Sequence, residues 1–258
     1  MEGGKTERYS FSKLSCFENC KFCFYNQYIE HHKGVGNAFS SYGILLHSIM
    51  ERYAKGELKF EELVDTYELE YPSVVVERFP RMPNPKIKLA ELYYQQGRDY
   101  LASLQPFKDM EILGAEMEFE MPIDDWIFNG VIDLVYKDKN GDIVLRDYKS
   151  KSKFKSKAEL HRYARQLYLY SQFIKLHFYS YPKRLEFVMF RQQDPEPIEF
   201  NLADYEEAMS WARGVVKDIR GEWDYTPTLE EFYCCNLCNF REFCQFKSEE
   251  YDRRQRKA

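Results

Sequence analysis

Between Cys23 and Cys234 the chain has no cysteine, although seven occur in its 258 residues. That gap excludes a disulfide framework spread through the core. No N-terminal apolar stretch resembles a signal peptide, and no apolar run approaches the length of a membrane span. These absences lead us to expect a cytoplasmic protein with no membrane partner, in which structural disulfides are rare and the cysteines need another explanation. Positive charge is also in short supply. Against 42 Asp and Glu there are 37 Lys and Arg, for a formal net charge of −5. This excludes a general nucleic-acid coat, which works by overall basicity, but allows a local basic track on an acidic body. No internal repeat is present, and the only low-complexity segment is a lysine run.

What the chain does have is 44% hydrophobic and 31% charged residues, a balance that suits a globular fold with a sizeable core. Aromatics at 17% can fill that core and can also supply stacking surfaces for bases. The N-terminal part reads helical over "SKLSCFENCKFCFYNQYIEHH", "YGILLHSIMERYAKG" and a segment from about Lys86 to Leu104. Three prolines mark "ERFPRMPNPK" as a loop. The period then changes. Met117, Phe119 and Met121 alternate with Glu116, Glu118 and Glu120, which is strand patterning. "WIFNGVIDLVY" and "DIVLRDYK" follow as strands, joined through an Asn-Gly hairpin signal. A helix from about Ala158 to His177, a strand "RLEFVMF" and a helix from about Ala203 to Arg220 complete the order. This predicts an α/β fold, a mixed sheet flanked by helices. We expect one domain over 1–258, with a helical part (1–105), a sheet core (106–222) and a cysteine segment (223–258).

Asp147 and Lys149 stand two apart on a strand, so both project to one face. Asp133, on the preceding strand of the same hairpin, can point there too. Two carboxylates and a lysine on one sheet face suit metal-assisted phosphodiester hydrolysis. The aspartates supply hard oxygen ligands for Mg²⁺ or Mn²⁺, and the lysine positions water and offsets transition-state charge. An Asp-x-Lys alone is common on exposed strands, where such a pair contributes little. Two helical pairs add weight: Gly43 with His47, and Gln166 with Tyr170, each i and i+4 on one helix face.

With "GILLH", "GVID", "DYKS" and "QLYLY" in this order, the chain resembles the RecB-type branch of the PD-(D/E)XK nucleases, from about Phe11 to Phe246. The resemblance implies a restriction-endonuclease-like sheet, with His47, Asp133 and Asp147 as metal ligands and Lys149 catalytic. It also implies that Gln166 and Tyr170 contact DNA or organise the site, and that a glutamate on the strand before Asp133 takes part. Glu116 is our choice; Glu118 shares its face.

The cysteines fall in two end clusters, Cys16, Cys20 and Cys23 against Cys234, Cys235, Cys238 and Cys244, which points to chain ends clamped together. Some nucleases of this branch hold an iron–sulfur cluster through one N-terminal cysteine and a C-terminal C-x2-C-x5-C. By that resemblance Cys20, Cys235, Cys238 and Cys244 hold a [4Fe–4S] cluster, in a manner similar to CRISPR-associated adaptation exonucleases and the AddB nuclease domain. Read from the residues, two C-x2-C pairs also fit a structural Zn²⁺ site, which is the alternative to the cluster. The roles of Cys16, Cys23 and Cys234 stay open.

From Lys149 a lysine occupies every second position through Lys151, Lys153, Lys155 and Lys157. If this segment stays extended, all five face one way at intervals of about 6.6 Å, and the last four track a DNA backbone. The expectation is a metal-dependent exonuclease acting on single-stranded DNA or free ends. No helicase motif is present, so a helicase or CRISPR integrase is the expected partner. The rival is a non-catalytic DNA-binding adaptor that keeps the fold and the cluster. A regulator that reads sequence is disfavoured, because no helix-turn-helix pattern occurs.

Overall fold

The N-terminal helices start where the sequence offers caps. In a computed structural model, which describes residues 6–82, 84, 86–191, 195–227, 238–242 and 244, a two-residue strand β1 (Arg8–Tyr9) leads into α1 (Phe11–Asn19). The N-cap of α1 is Ser10, whose hydroxyl accepts from the Lys13 amide at 3.2 Å. Cys20 interrupts the helical run with extended backbone (φ −161°), and α2 (Lys21–Phe24) and a π-helical turn over Tyr25–Ile29 follow. Asn37 and Ser40 form a reciprocal capping box that opens α3 (Ala38–Ala54). The sequence reading assigns no element to residues 57–75. The structure places α4 (Leu63–Val74) there, with Pro72 in its last turns and Leu63 and Tyr67 buried. α5 (Leu89–Ser103) closes this part.

A meander follows as β2 (Glu111–Ile123), β3 (Trp126–Lys137) and β4 (Ile143–Lys149). The Asn-Gly signal does mark a hairpin, with only Gly141 left-handed (φ 80°). The Asp138 carboxylate accepts the amides of Asn140 and Asp142 and braces the turn. α6 (Lys157–Phe178), capped by Ser156, carries the chain across to β5 (Arg184–Met189), which pairs parallel to β4. β6 (Glu196–Glu199) adds an edge, and α7 (Leu202–Gly221) starts at Asn201, whose side chain accepts the Asp204 amide.

The six strands run in the order β1-β3-β4-β5-β6, with β2 along the other edge of β3. Both faces carry helices. On one, α1, α6 and α7 bury Leu14, Leu167 and Ala212 against Phe128 and Phe187. On the other, α3, α4 and α5 bury Leu46, Tyr67 and Tyr100 against Leu134 and Val144. Burying each such leucine or phenylalanine contributes roughly 1.5–3 kcal/mol. Among the described residues, no helix is long and apolar enough to cross a membrane.

Candidate metal centre and catalytic cleft

The β3–β4 ladder stops at Leu134 and Arg146. Beyond that point the Asp133 carboxylate accepts the Tyr148 amide at 2.7 Å, taking the place of a backbone partner. The two strands therefore part at Asp133, and the gap between them is where the candidate site forms. A second irregularity lies opposite. Glu116, across from Asp133 by the flanking pairs Ala115–Leu134 and Met117–Ile132, has φ +46°, a left-handed conformation rare for a glutamate. Ala115 and Leu134 pack under α3, whereas Met117 and Ile132 pack under α6. Both strands thus change face at the Glu116–Asp133 pair.

α3 lies over this switch. Its His47 Nδ1 is 3.7 Å from Glu116 Oε1 and 3.5 Å from Asp133 Oδ2. Together the three offer ligand atoms that all lie within 4.8 Å of one another, a donor set of one imidazole and two carboxylates. The His47 ring stands edge-on to Phe190 (5.2 Å), which in turn stacks on Tyr148 (5.3 Å). Gly43, one turn before His47, faces the loop after β4, where a Cβ would make ordinary van der Waals contact with Ser150 at 3.4 Å. A cleft of about 470 Å³ opens here, lined by Phe39, Gly43, Ile44, His47, Glu116 and Asp133 among others.

Asp147 and Lys149 lie on β4 beside this group. Lys149 Nζ makes an ion pair with Asp147 Oδ2 at 2.6 Å and donates to Gln166 Oε1 at 2.9 Å. Gln166 Nε2 donates to the Tyr170 hydroxyl at 3.2 Å, so the helical pair braces the lysine from α6. Tyr170 packs edge-on against Phe119. A Cβ on Gly130 would lie 2.9 Å from ring carbons of both, so glycine is what lets β3 pass beneath them. Among the described residues, buried Asp147 Oδ2 finds no hydrogen-bond partner beyond its ion pair.

The charges here are frustrated without a cation. The Asp133 carboxyl is pushed up to about 7, chiefly by burial and then by Asp147, against the pull of His47, Lys149 and the Tyr148 amide. Burial draws the His47 imidazole down, but Glu116, Asp133 and Asp147 outweigh it, and the net shift is upward. A divalent ion fits this donor set, since hard oxygen ligands and an imidazole surround a spot where negative charge is in excess.

A pH dependence follows. Folding raises Asp133 above the ordinary carboxylate value of about 3.9, so the stability this group contributes is fully present below about pH 4. It is lost as the pH rises through about 7. Mn²⁺ should therefore raise the melting temperature more at about pH 8 than at about pH 5, compared with chelator. Equal gains at both values would separate ion binding from this carboxylate.

The structure places the sequence-predicted residues unevenly. His47, Glu116 and Asp133 converge; Asp147 turns to Lys149 and stays outside their group. Glu118 is exposed. The extended lysine row needs correction. β4 ends at Lys149, the chain bends at 150–152 and again at 155–156, and Lys157 opens α6. Lys151 is held by Glu159 at 2.7 Å and by the Phe154 and Tyr163 rings, while Lys153, Lys155 and Lys157 are exposed. Sequence reasoning missed the Tyr148 amide and the Glu116 backbone.

The two cysteine segments also meet where they are described. Cys20, Cys23 and Cys238 share a buried cluster with Phe240, and Cys16 packs against it. Cys23 Sγ is 3.1 Å from Cys238 Sγ. Cys238 is lowered to about 7, first by the Cys23 thiol and also by the Phe240 amide and Arg241, against burial. Cys244 is buried, whereas Cys234 and Cys235 lie outside the described residues. Arg241 donates to the carbonyls of Val35 and Gly36, tying the C-terminal segment to the loop before α3. Cysteines gathered in one buried cluster are the residue type that a thiolate-bound metal group takes.

A sheet that parts around two carboxylates, with a braced lysine beside them, defines a class of protein as well as a geometry. The family model of the PD-(D/E)XK nuclease superfamily matches residues 8–245, and the chain belongs to that superfamily, whose members are metal-dependent nucleases. A solved structure described as "Crystal structure of SSO0001" is similar over 95% of this chain and 88% of that chain, at 14% identity and a TM-score of 0.41. No curated protein matches this sequence.

Proposed function

We propose that the protein is a Mg²⁺- or Mn²⁺-dependent deoxyribonuclease of the RecB type that degrades single-stranded or frayed DNA from an end. The observation that carries this reading is Lys149, held between Asp147 and Gln166 beside the His47–Glu116–Asp133 group. His47, Glu116 and Asp133 would hold the ion, joined by Asp147 once its carboxylate turns from Lys149, and the ion when bound supplies Lewis-acid polarisation of the phosphodiester. Lys149 places a fixed positive charge where the pentavalent phosphorus develops negative charge. Gln166 and Tyr170 keep that ammonium aimed, and Phe190 and Tyr148 fix the imidazole plane. Lys153, Lys155 and Lys157, exposed on the segment that follows Ser150, are available to a DNA backbone.

Cys20, Cys235, Cys238 and Cys244 would hold a [4Fe–4S] cluster, and the proximity of Cys23 to Cys238 makes structural Zn²⁺ its competitor. Iron and sulfide in anaerobically prepared protein test this, and stoichiometric zinc without iron would replace the cluster. The tie from Arg241 to the loop before α3 supports end-directed entry, because it joins the C-terminal segment to the start of the helix that carries His47. A helicase or a CRISPR integrase would supply the ends. The test compares end-labelled linear with circular single-stranded DNA in Mn²⁺. Degradation of the linear strand with the circle intact is expected. Equal cleavage of both would remove end-direction, and binding without cleavage would favour a DNA-binding adaptor.

A further inference from the structure

A second concavity lies beyond Phe39, outside the site described. Phe39 lines the catalytic cleft, and its ring meets Phe79 edge-on at 5.2 Å. Phe79 in turn lines a groove of about 560 Å³ with Tyr71, Val75, Met82, Ile87 and Leu89. The two hollows therefore share one aromatic wall. Ser41, on α3, donates to Glu77 at 2.7 Å and ties the lining of the groove to the helix that carries His47. Among the described residues this groove is the larger of the two, and nothing in the nuclease site uses it.

Its charge says what fits it. Arg78, Arg81, Lys86 and Lys88 stand exposed on the segment that forms or borders the groove. Lys88 pairs with Glu91 at 2.8 Å. Arg78, Arg81 and Lys86 form no ion pair among the described residues. Glu77, the carboxylate of the lining, is half-buried and engaged by Ser41. In a chain with a net charge of −5, three uncompensated cations within nine residues around an apolar hollow are a local reversal of sign. An apolar floor for bases beside cations for phosphates is the pattern that holds single strands without reading sequence. A neutral apolar partner would leave those cations without a counter-charge.

Resting on the nuclease reading, we infer that this groove is the track for the single strand on the Phe39 side of the cleft, holding nucleotides that flank the cleavage position. The enzyme then grips its substrate some distance from the chemistry, and substrate length matters. A strand too short to reach Arg78 and Arg81 is held by the cleft alone.

The test is the triple variant Arg78→Ala, Arg81→Ala, Lys86→Ala, none of which belongs to the catalytic cleft. Binding of a labelled 20-nucleotide single strand is measured by anisotropy across salt concentrations in Ca²⁺. Cleavage of that strand and of a four-nucleotide strand is measured in Mn²⁺. The variant should bind the long strand on the order of tenfold more weakly, with a salt slope shallower by about 2, the loss of three phosphate contacts. Its KM should rise on the long strand only, with kcat unchanged on both. Cleavage by wild type with long-strand KM and salt slope unchanged in the variant overturns the groove and leaves the nuclease standing. Failure of wild type to cleave, with binding weakened in the variant, overturns the nuclease reading and keeps the groove. Unchanged binding in the variant where wild type does not cleave overturns both, as does wild type that does not bind single strands.

Discussion

Lys149→Ala is expected to lower kcat on linear single-stranded DNA by about 10²–10³-fold, the usual cost of removing one preorganised charge from a transition state. KM should move little, because the lysine acts where charge develops rather than where the strand is held. Mn²⁺ binding should persist, since the group that gathers around His47 does not include Lys149. The variant leaves Asp147 buried without its ion-pair partner, so stability must be followed in parallel. A structural role would show itself differently, as lost folding together with lost metal binding. Calorimetric Mn²⁺ titration of the variant beside its rate separates the two. Full activity in a folded variant would remove Lys149 from the mechanism.

The second large effect lies beneath the site. Arg146 and Glu186 are paired neighbours on β4 and β5, and only 7% and 3% of their surfaces remain exposed. Arg146 Nε donates to Glu186 Oε1 at 2.6 Å, the Tyr136 hydroxyl donates to the same oxygen at 2.6 Å, and Arg184 approaches Oε2 at 3.7 Å. Glu186→Ala leaves a guanidinium buried with no carboxylate, a loss of about 3–5 kcal/mol. Urea unfolding of wild type and variant measures it as a shift in midpoint at constant slope. The exposed Arg213–Asp124 pair is the control, and removing it should not move the midpoint. A Glu186→Ala midpoint within error of wild type would mean that water reaches Arg146.

Much of this architecture could be read before the structure. The meander was legible because alternation, Asn-Gly and the Asp147–Lys149 spacing are all local signals. α6 and α7 were legible within a residue or two of each end, from long periodic stretches behind Ser156 and Asn201. The elements that escaped carry little periodicity of their own. β1 has two residues, and β6 has four with Pro197 among them. α4 packs only part of its surface and carries an internal proline.

At the candidate site the limit was of another kind. Strict alternation puts Glu116 and Glu118 on one face, but the left-handed turn at Glu116 and the matching switch at Asp133 reset the alternation there. Such a conformation is held by tertiary structure, and a glutamate does not announce it. The lysine row failed for the opposite reason, because a repeating pattern looked like a strand. Glu159, eight residues after Lys151, captures that lysine, and the Ser156 cap turns the chain into a helix.

The central claim is that cleavage depends on a divalent ion at the His47–Glu116–Asp133 group beside Asp147 and Lys149. Its most direct measurement is the initial rate of cleavage of linear single-stranded DNA against Mn²⁺ concentration, for wild type and for Asp133→Asn. A rate that rises to saturation with Mn²⁺, vanishes in chelator and is lost in the variant is the expected result. Cleavage that continues in chelator, or an Asp133→Asn variant with the wild-type Mn²⁺ curve, would contradict it.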